Sequence, residues 1–319
     1  MLIASTARSV NRVQRTLTPA TYVRVTRLAL WSLVVIVVTG AAVRLSGSGL
    51  GCSDWPTCTS ERFVPEREFH GLVEFINRMF TGAVSMAVIA AVLASQLRAT
   101  KRKDLTRLSW GLVVGVVAQI VLGGVTVLTH LRPEIVMAHF LLSMVLVANA
   151  VLLQHRAGTP DEVIAGRASK RSSHDRTWAM RLMVLSSITV VLGTVVTAAG
   201  PHAGDEEVER LSVDLGWVAR IHGASVWLLL AAIVWFAYIR SRFDTTPHRP
   251  TTVRLEQFVL VVLAQGTIGY VQYFNDTPAL LVGLHIVGAC TVWISVLRLV
   301  LFADDAAADN RDLQELQRT

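Results

Sequence analysis

Eight apolar runs, each of 18 residues or more and nearly free of charge, constrain this chain more than any other feature. They lie at roughly 26–45, 70–97, 108–128, 135–155, 178–199, 217–239, 254–274 and 279–302. A run of that length crosses a hydrocarbon core about 30 Å thick as a helix. In lipid, only helices and closed barrels satisfy their own backbone, and barrel strands alternate in polarity where these runs do not. Composition agrees: 52% of the 319 residues are hydrophobic and only 17% are charged, where soluble chains carry about a quarter charged. The fold class expected is therefore an all-α integral membrane protein with eight transmembrane helices. The first run follows about 25 polar, arginine-bearing residues and has no small-residue cleavage site, so it reads as a retained helix and not a signal peptide.

The net charge of +7 raises the question of nucleic acid, but its placement answers it. Arg8, Arg12, Arg15 and Arg24 precede the first run. Arg98, Lys101, Arg102, Lys103 and Arg107 join the second and third. Arg156, Arg167, Lys170, Arg171 and Arg176 join the fourth and fifth, and Arg240, Arg242, Arg249 and Arg254 the sixth and seventh. The alternate connections are poor in Lys and Arg, and two are acidic, with Glu61, Glu66 and Glu68 in one and Asp205, Glu206, Glu207 and Glu209 in the other. This is the positive-inside pattern at every turn, and it predicts that both termini are cytoplasmic. A lipid bilayer, and no nucleic acid, is the partner these charges imply. The acidic tail 304–319 reads as a frayed end.

The chain repeats itself. Ala118-Gln119, Gly123, Val125 and His139 recur as Ala264-Gln265, Gly269, Val271 and His285, with the histidine 20 positions after the glutamine each time. Gly40, Val43, Gly47 and Gly51 match Gly193, Val196, Gly200 and Gly204 without a gap. The expectation is two tandem four-helix bundles related by a parallel duplication, 26–155 and 178–302, joined by a cytoplasmic linker 156–177 and flanked by cytoplasmic segments 1–25 and 303–319. Glycines in such helices permit close helix contact or the close approach of a flat ligand.

Each even-numbered run places one polar position at matched depth: Asn77, His139, His222 and His285. All lie at similar depth, about 6–11 Å below the outer boundary at about 1.5 Å per residue. Ionisable residues inside a membrane point to function. Two imidazoles on facing helices supply both axial positions of a haem iron, whereas zinc wants three or four ligands that the second unit does not offer, and a quinone needs no histidine pair. In the first unit His70, Glu74, Asn77 and Thr81 share one helical stripe. Glu74 has two readings: a structural ion pair with Arg78 four residues on, or an acid, base or cation stabiliser beside a substrate. Under the second reading Arg78 is free to bind a haem propionate. Cys52 and Cys58 share the first outer loop, where oxidising conditions permit a disulfide, either as a structural bridge or as something more. Cys290, inside the last run, reads as a packing residue. His130 and His202 near outer loops, and His155, His174 and His248 in inner ones, read as solvated surface residues.

These residues resemble the haem A synthase family of respiratory membranes, over about residues 26–302. The carriers are Thr39-Gly40, then Arg44-Leu-Ser-Gly-Ser-Gly-Leu-Gly-Cys52, Asp54-Trp55-Pro56 and Cys58. Glu74-Phe-Ile-Asn-Arg78 follows, with His139, His222 and His285 at the starts of later helices. The resemblance implies oxidation of the C8 methyl of haem O to the formyl group of haem A, destined for a terminal oxidase. It implies a resident haem b on His222 and His285, with the substrate haem in the first unit, ligated by His139 and lined by Asn77 and Arg78. It implicates Glu74, Cys52 and Cys58 in catalysis or haem handling. Haem O synthase is the implied upstream partner, and a quinone or other membrane electron acceptor the downstream one; a homo-oligomer stays open. Many relatives carry histidine where this chain has Asn77, which leaves His139 as the strong ligand of the first unit, with His70 as a more superficial substitute. The second unit has no cysteine pair. The alternative is a bis-histidine membrane cytochrome passing electrons between quinone and haem without porphyrin chemistry; a transporter would instead show inverted repeats and broken helices.

Overall fold

The computed structural model describes residues 16–161, 174–243 and 249–316. Arg8, Arg12, Arg15, Arg167, Lys170, Arg171 and His248 lie outside the described residues. Among the described residues eight helices follow in order: α1 Pro19–Leu45, α2 Phe69–Leu97, α3 Lys103–Leu128, α4 Pro133–Gly158, α5 His174–Ala199, α6 Leu215–Phe243, α7 Arg249–Phe274 and α8 Ala279–Leu316. Each apolar run lies within one of them, and all eight are long and apolar enough to cross a membrane. The helices outrun the apolar segments mainly at the arginine-rich end, where the backbone stays hydrogen-bonded while side chains reach polar surroundings. Leu28, Val234 and Leu260 are 62%, 67% and 69% exposed, so apolar surface faces outward along the spans and lipid is the solvent that suits it.

Local chemistry sets the helix ends. Thr18 caps α1 by accepting from the Thr21 N–H at 3.2 Å, with Pro19 in the first turn. Pro133 likewise stands in the first turn of α4, there without a side-chain cap. One end differs from expectation: α8 runs on to Leu316 where a frayed tail was expected. The tail is rich in Ala, Asp, Leu and Gln, and of these Ala, Leu and Gln propagate an existing helix at little cost.

Helices α1 to α4 close a ring of contacts in chain order, α1 meeting α4, and α5 to α8 close another, α5 meeting α8. The rings meet where α8 packs on α1 and α4, and α4 on α5. Each ring has its own apolar core, one around Leu30, Leu112 and Val147 and one around Leu182, Phe236 and Phe258. Lipid is as apolar as these side chains, so close packing and a few interhelical hydrogen bonds must hold the helices together. Tyr22 Oη to Ser109 Oγ at 3.1 Å joins α1 to α3, and Trp293 Nε1 donates to Met144 O at 2.9 Å across α8 and α4.

At the far end from the arginines, the loops lock the rings together. Gly49 N donates to Gly204 O at 2.9 Å, Arg44 Nη2 to Thr197 O at 2.7 Å, and Leu131, Ala203 and Val208 form a small cluster over them. A Cβ on Gly49 would lie 3.1 Å from the Gly204 carbonyl oxygen, so this crossing needs glycine. At the opposite end Arg98 and Arg102 share Asp161, Arg240 pairs with Asp175, and Arg176 with Asp304.

Candidate functional site

Asn77, His139, His222 and His285 sit eight, six, seven and six residues into α2, α4, α6 and α8, counted from Phe69, Pro133, Leu215 and Ala279. That is about 9–12 Å along each axis at about 1.5 Å per residue, at the end of the molecule that carries the Cys52 loop. His222 and His285 face one another with ring centroids 6.4 Å apart and planes at 74°. Metal–imidazole bonds are about 2 Å, so nitrogens on opposite sides of one metal stand about 4 Å apart, with each ring centre about 1 Å further out. The observed span fits. The His222 Nδ1–H donates to Thr189 O at 3.1 Å, which leaves Nε2 with its lone pair, as a metal ligand requires. His285 Nδ1 is buried with no hydrogen-bond partner among the described residues, and Gln265 Nε2 fixes the helix beneath by donating to His285 O at 2.8 Å.

Glycine lies against each ring. A Cβ on Gly193 would stand 3.2 Å from His222 Cε1, and one on Gly269 3.0 Å from His285 Cε1. Among the described residues no group of three or more His, Cys, Asp or Glu gathers as a metal site. An imidazole pair alone suits a porphyrin iron, whose other ligands are the macrocycle's own.

The first ring of helices repeats this plan with one change. Gln119 Nε2 donates to His139 O at 3.0 Å, the bond that Gln265 makes to His285, and a Cβ on Gly123 would meet His139 Nε2 at 3.3 Å. The Oδ1 of Asn77, which stands in α2 at the depth that His222 has in α6, accepts from Thr39 Oγ1 at 2.8 Å. A Cβ on Gly40, the counterpart of Gly193, would meet nothing within 4 Å. The shorter side chain leaves open the volume that an imidazole fills in the other half.

The Cys52 loop closes over this half. Cys52 and Cys58, both buried, form a disulfide. Glu74, 5% exposed, accepts from the Cys52 backbone N–H through Oε2 at 2.8 Å, and its Oε1 takes Arg78 Nη2 at 2.5 Å and Nε at 3.1 Å. Arg78 Nη1 donates to Asp54 O at 3.0 Å and Thr57 O at 2.9 Å, and Nη2 also reaches Asp54 O at 3.0 Å. All five guanidinium donors are thus directed at Glu74 and the loop, so the propionate role considered for Arg78 has no donor left to it here. Gly51 passes against the His70 carbonyl, where any Cβ would collide, and Trp55 lies on Gly124 of α3. His70 is held at Nδ1 by Ser48 Oγ, 2.9 Å away.

Two histidines read as solvated are not. His155 is 13% exposed, pairs with Asp305 at 3.2 Å and meets the Phe302 ring edge-on, because α8 extends far enough to cover it. His202 Nε2 donates to Thr277 O at 2.8 Å, tying two outer loops together. Thr189, which positions His222, escaped the sequence reading, and Thr39 entered it only as a carrier of the resemblance and not as the partner of Asn77, since a threonine in an apolar helix carries no signal of its own. Gln119 and Gln265 were visible as repeat markers, and their common spacing of 20 to the histidine was the clue to their shared bond.

The family model COX15-CtaA, described as cytochrome oxidase assembly protein, matches residues 24–204. Proteins named "Heme A synthase" are similar over most of their length. That of Listeria welshimeri is 24% identical, covering 86% of this chain and 93% of its own. That of Listeria monocytogenes is 23% identical over the same shares, and that of Bacillus mycoides 26% identical, covering 84% and 87%.

Proposed function

This chain belongs to the COX15-CtaA family of cytochrome oxidase assembly proteins, and we propose that within it the protein is a haem A synthase, an oxidoreductase that converts the C8 methyl of haem O to the formyl group of haem A. The observation that carries the reading is the paired, non-identical architecture. One half holds two facing imidazoles, His222 and His285; the other holds one, His139, with Asn77 on α2 at the depth of His222 and a buried carboxylate, Glu74, on the same helix. A complete ligand pair suits a resident group, and an incomplete one suits a haem that arrives, reacts and leaves.

In this reading His222 and His285 hold a resident haem b, which when bound supplies a one-electron acceptor. His139 ligates the iron of haem O in the first half. Asn77 lines that site without competing for the iron. Glu74 presents a carboxylate able to stabilise positive charge developing at the methyl carbon or to take a proton from attacking water. Its two oxygens are oriented by Cys52 N–H and Arg78. Arg78 and the Cys52–Cys58 bridge act by holding the loop and the carboxylate in one geometry. The two halves descend from a parallel duplication, which the shared Gln-to-His bond supports. The arginine-rich end faces the cytoplasm with both termini, and the histidines lie toward the outer face. A haem O synthase supplies the substrate, and a quinone or other membrane acceptor takes the electrons.

The test is haem extraction and mass analysis from cells lacking haem A that co-express this chain with a haem O synthase. Haem A or its hydroxymethyl precursor supports the assignment. Haem b and unmodified haem O alone in folded protein, with an electron acceptor supplied, would favour the electron-transfer cytochrome.

A further inference from the structure

Away from the histidines, a cleft of about 520 Å³ opens between the two rings of helices. Its origin is a packing gap: α7 touches α6 and α8 but none of α1 to α4. Three arginines line it, Arg27 of α1, Arg254 of α7 and Arg298 of α8. Arg254 lies over the Phe302 ring at 4.5 Å and donates to Gln257. Arg27 and Arg298 have no ion-pair or hydrogen-bond partner among the described residues. The one carboxylate of the cleft, Asp305, is engaged by His155 at 3.2 Å. Three cations therefore converge on a cleft that offers them one carboxylate, an excess of positive charge that is costly beside a membrane interior. Arg298 stands nineteen residues beyond Ala279, about 28 Å along α8 at about 1.5 Å per residue. That span nearly equals a hydrocarbon core of about 30 Å, which places the guanidinium at headgroup level on the arginine-rich side. Val23, Val151 and Phe302 give the same cleft an apolar wall.

We propose that this cleft binds an anionic glycerophospholipid, with Arg27 and Arg298 on the phosphodiester and the acyl chains along the apolar wall, filling the gap between α7 and the first ring. Guanidinium suits a phosphate oxygen pair, and basic pockets between membrane helices select anionic headgroups. A soluble phosphate compound shares the charge chemistry but has no use for the wall. The inference does not rest on the catalytic reading, since it uses no residue of that site.

The experiment is native mass spectrometry of the full chain in detergent, with added phosphatidylglycerol, with phosphatidylcholine of the same acyl chains, and with excess inorganic phosphate as competitor. Phosphatidylglycerol should be retained in preference to phosphatidylcholine and survive the phosphate. Each arginine removed should weaken retention about fivefold, so Arg27→Gln/Arg298→Gln loses about 25-fold while Arg27→Lys/Arg298→Lys keeps most of it. Equal retention of the two lipids, or displacement by inorganic phosphate, would overturn the proposal. So would undiminished retention in the double glutamine variant. If that variant does not fold, the exposed Arg27→Gln alone decides, because a loss of about fivefold is required of it.

Discussion

The Cys52 backbone N–H and the Glu74 carboxylate meet at 2.8 Å, which couples the disulfide loop to the one buried acid of the first four helices. With Arg78 on its other oxygen, Glu74 is held at both ends and cannot swing. A carboxylate so placed is either a strut for the loop or a group aimed at a substrate, and two substitutions separate these roles. Glu74→Gln keeps an acceptor for Cys52 but discards the charge. Glu74→Ala removes both and strands the Arg78 guanidinium, a change expected to cost about 3–5 kcal/mol. Both variants should keep the resident haem and lose the formyl product, and only Glu74→Ala should fall markedly in melting temperature. Haem analysis beside a thermal melt checks this, and retained haem A in Glu74→Gln would return the residue to a structural role.

The glycines under the imidazoles give a graded test of the ligand pair. A methyl at Gly193 or Gly269 would press on His222 or His285 from 3.2 Å or 3.0 Å, whereas one at Gly40 meets nothing within 4 Å. Gly193→Ala and Gly269→Ala should each shift the low-spin haem spectrum or lower occupancy, with crowding of about 1–3 kcal/mol. Gly40→Ala should leave the spectrum as it is, and His222→Met or His285→Met should abolish or strongly perturb it. A normal spectrum in both methionine variants would remove these histidines as ligands.

The sequence shows the helices because apolar length is a one-dimensional property: all eight runs fall within observed helices. The histidine depths are equally legible, since rise per residue converts position into height. What stays hidden depends on loops and on neighbours from other helices. Arg78 is four residues from Glu74 in the sequence, yet its capture by the Asp54 and Thr57 carbonyls requires the fold of the Cys52 loop. His155 looks like an inner-loop residue until α8 is seen to continue past Asp305. The gap beside α7 is likewise invisible, because nothing in one helix states which neighbours it lacks.

The arginine-rich end carries a pH-dependent contribution to stability. Arg98, whose side chain is 2% exposed, hydrogen-bonds Asp161 through both terminal nitrogens, and with Arg102 it holds the Asp161 carboxyl below the usual carboxylate range. A lowered folded pKa means that the stabilisation is fully present above the unfolded value of about 3.9. It is lost as pH falls through the lower folded value. Asp161→Asn should therefore melt below the parent at neutral pH, and the difference should shrink as pH drops below about 4. A constant gap between the two melting curves at every pH would exclude this ion pair as its source.

The space above Gly40 makes a stronger prediction about Asn77. In the other half the matching volume holds His222, and the backbone beneath is glycine in both. Asn77→His should fit there, losing only the Thr39 hydrogen bond at about 0.5–1.5 kcal/mol. The first half would then offer a second imidazole opposite His139, the same pair that the second half presents. If Asn77 keeps the substrate site open for exchange, the variant should retain more haem O and haem A on purification, show a second low-spin signal, and turn over more slowly. If it binds no additional haem while remaining folded, the position opposite His139 is not an axial site, and the first half holds its substrate by some other arrangement than the second.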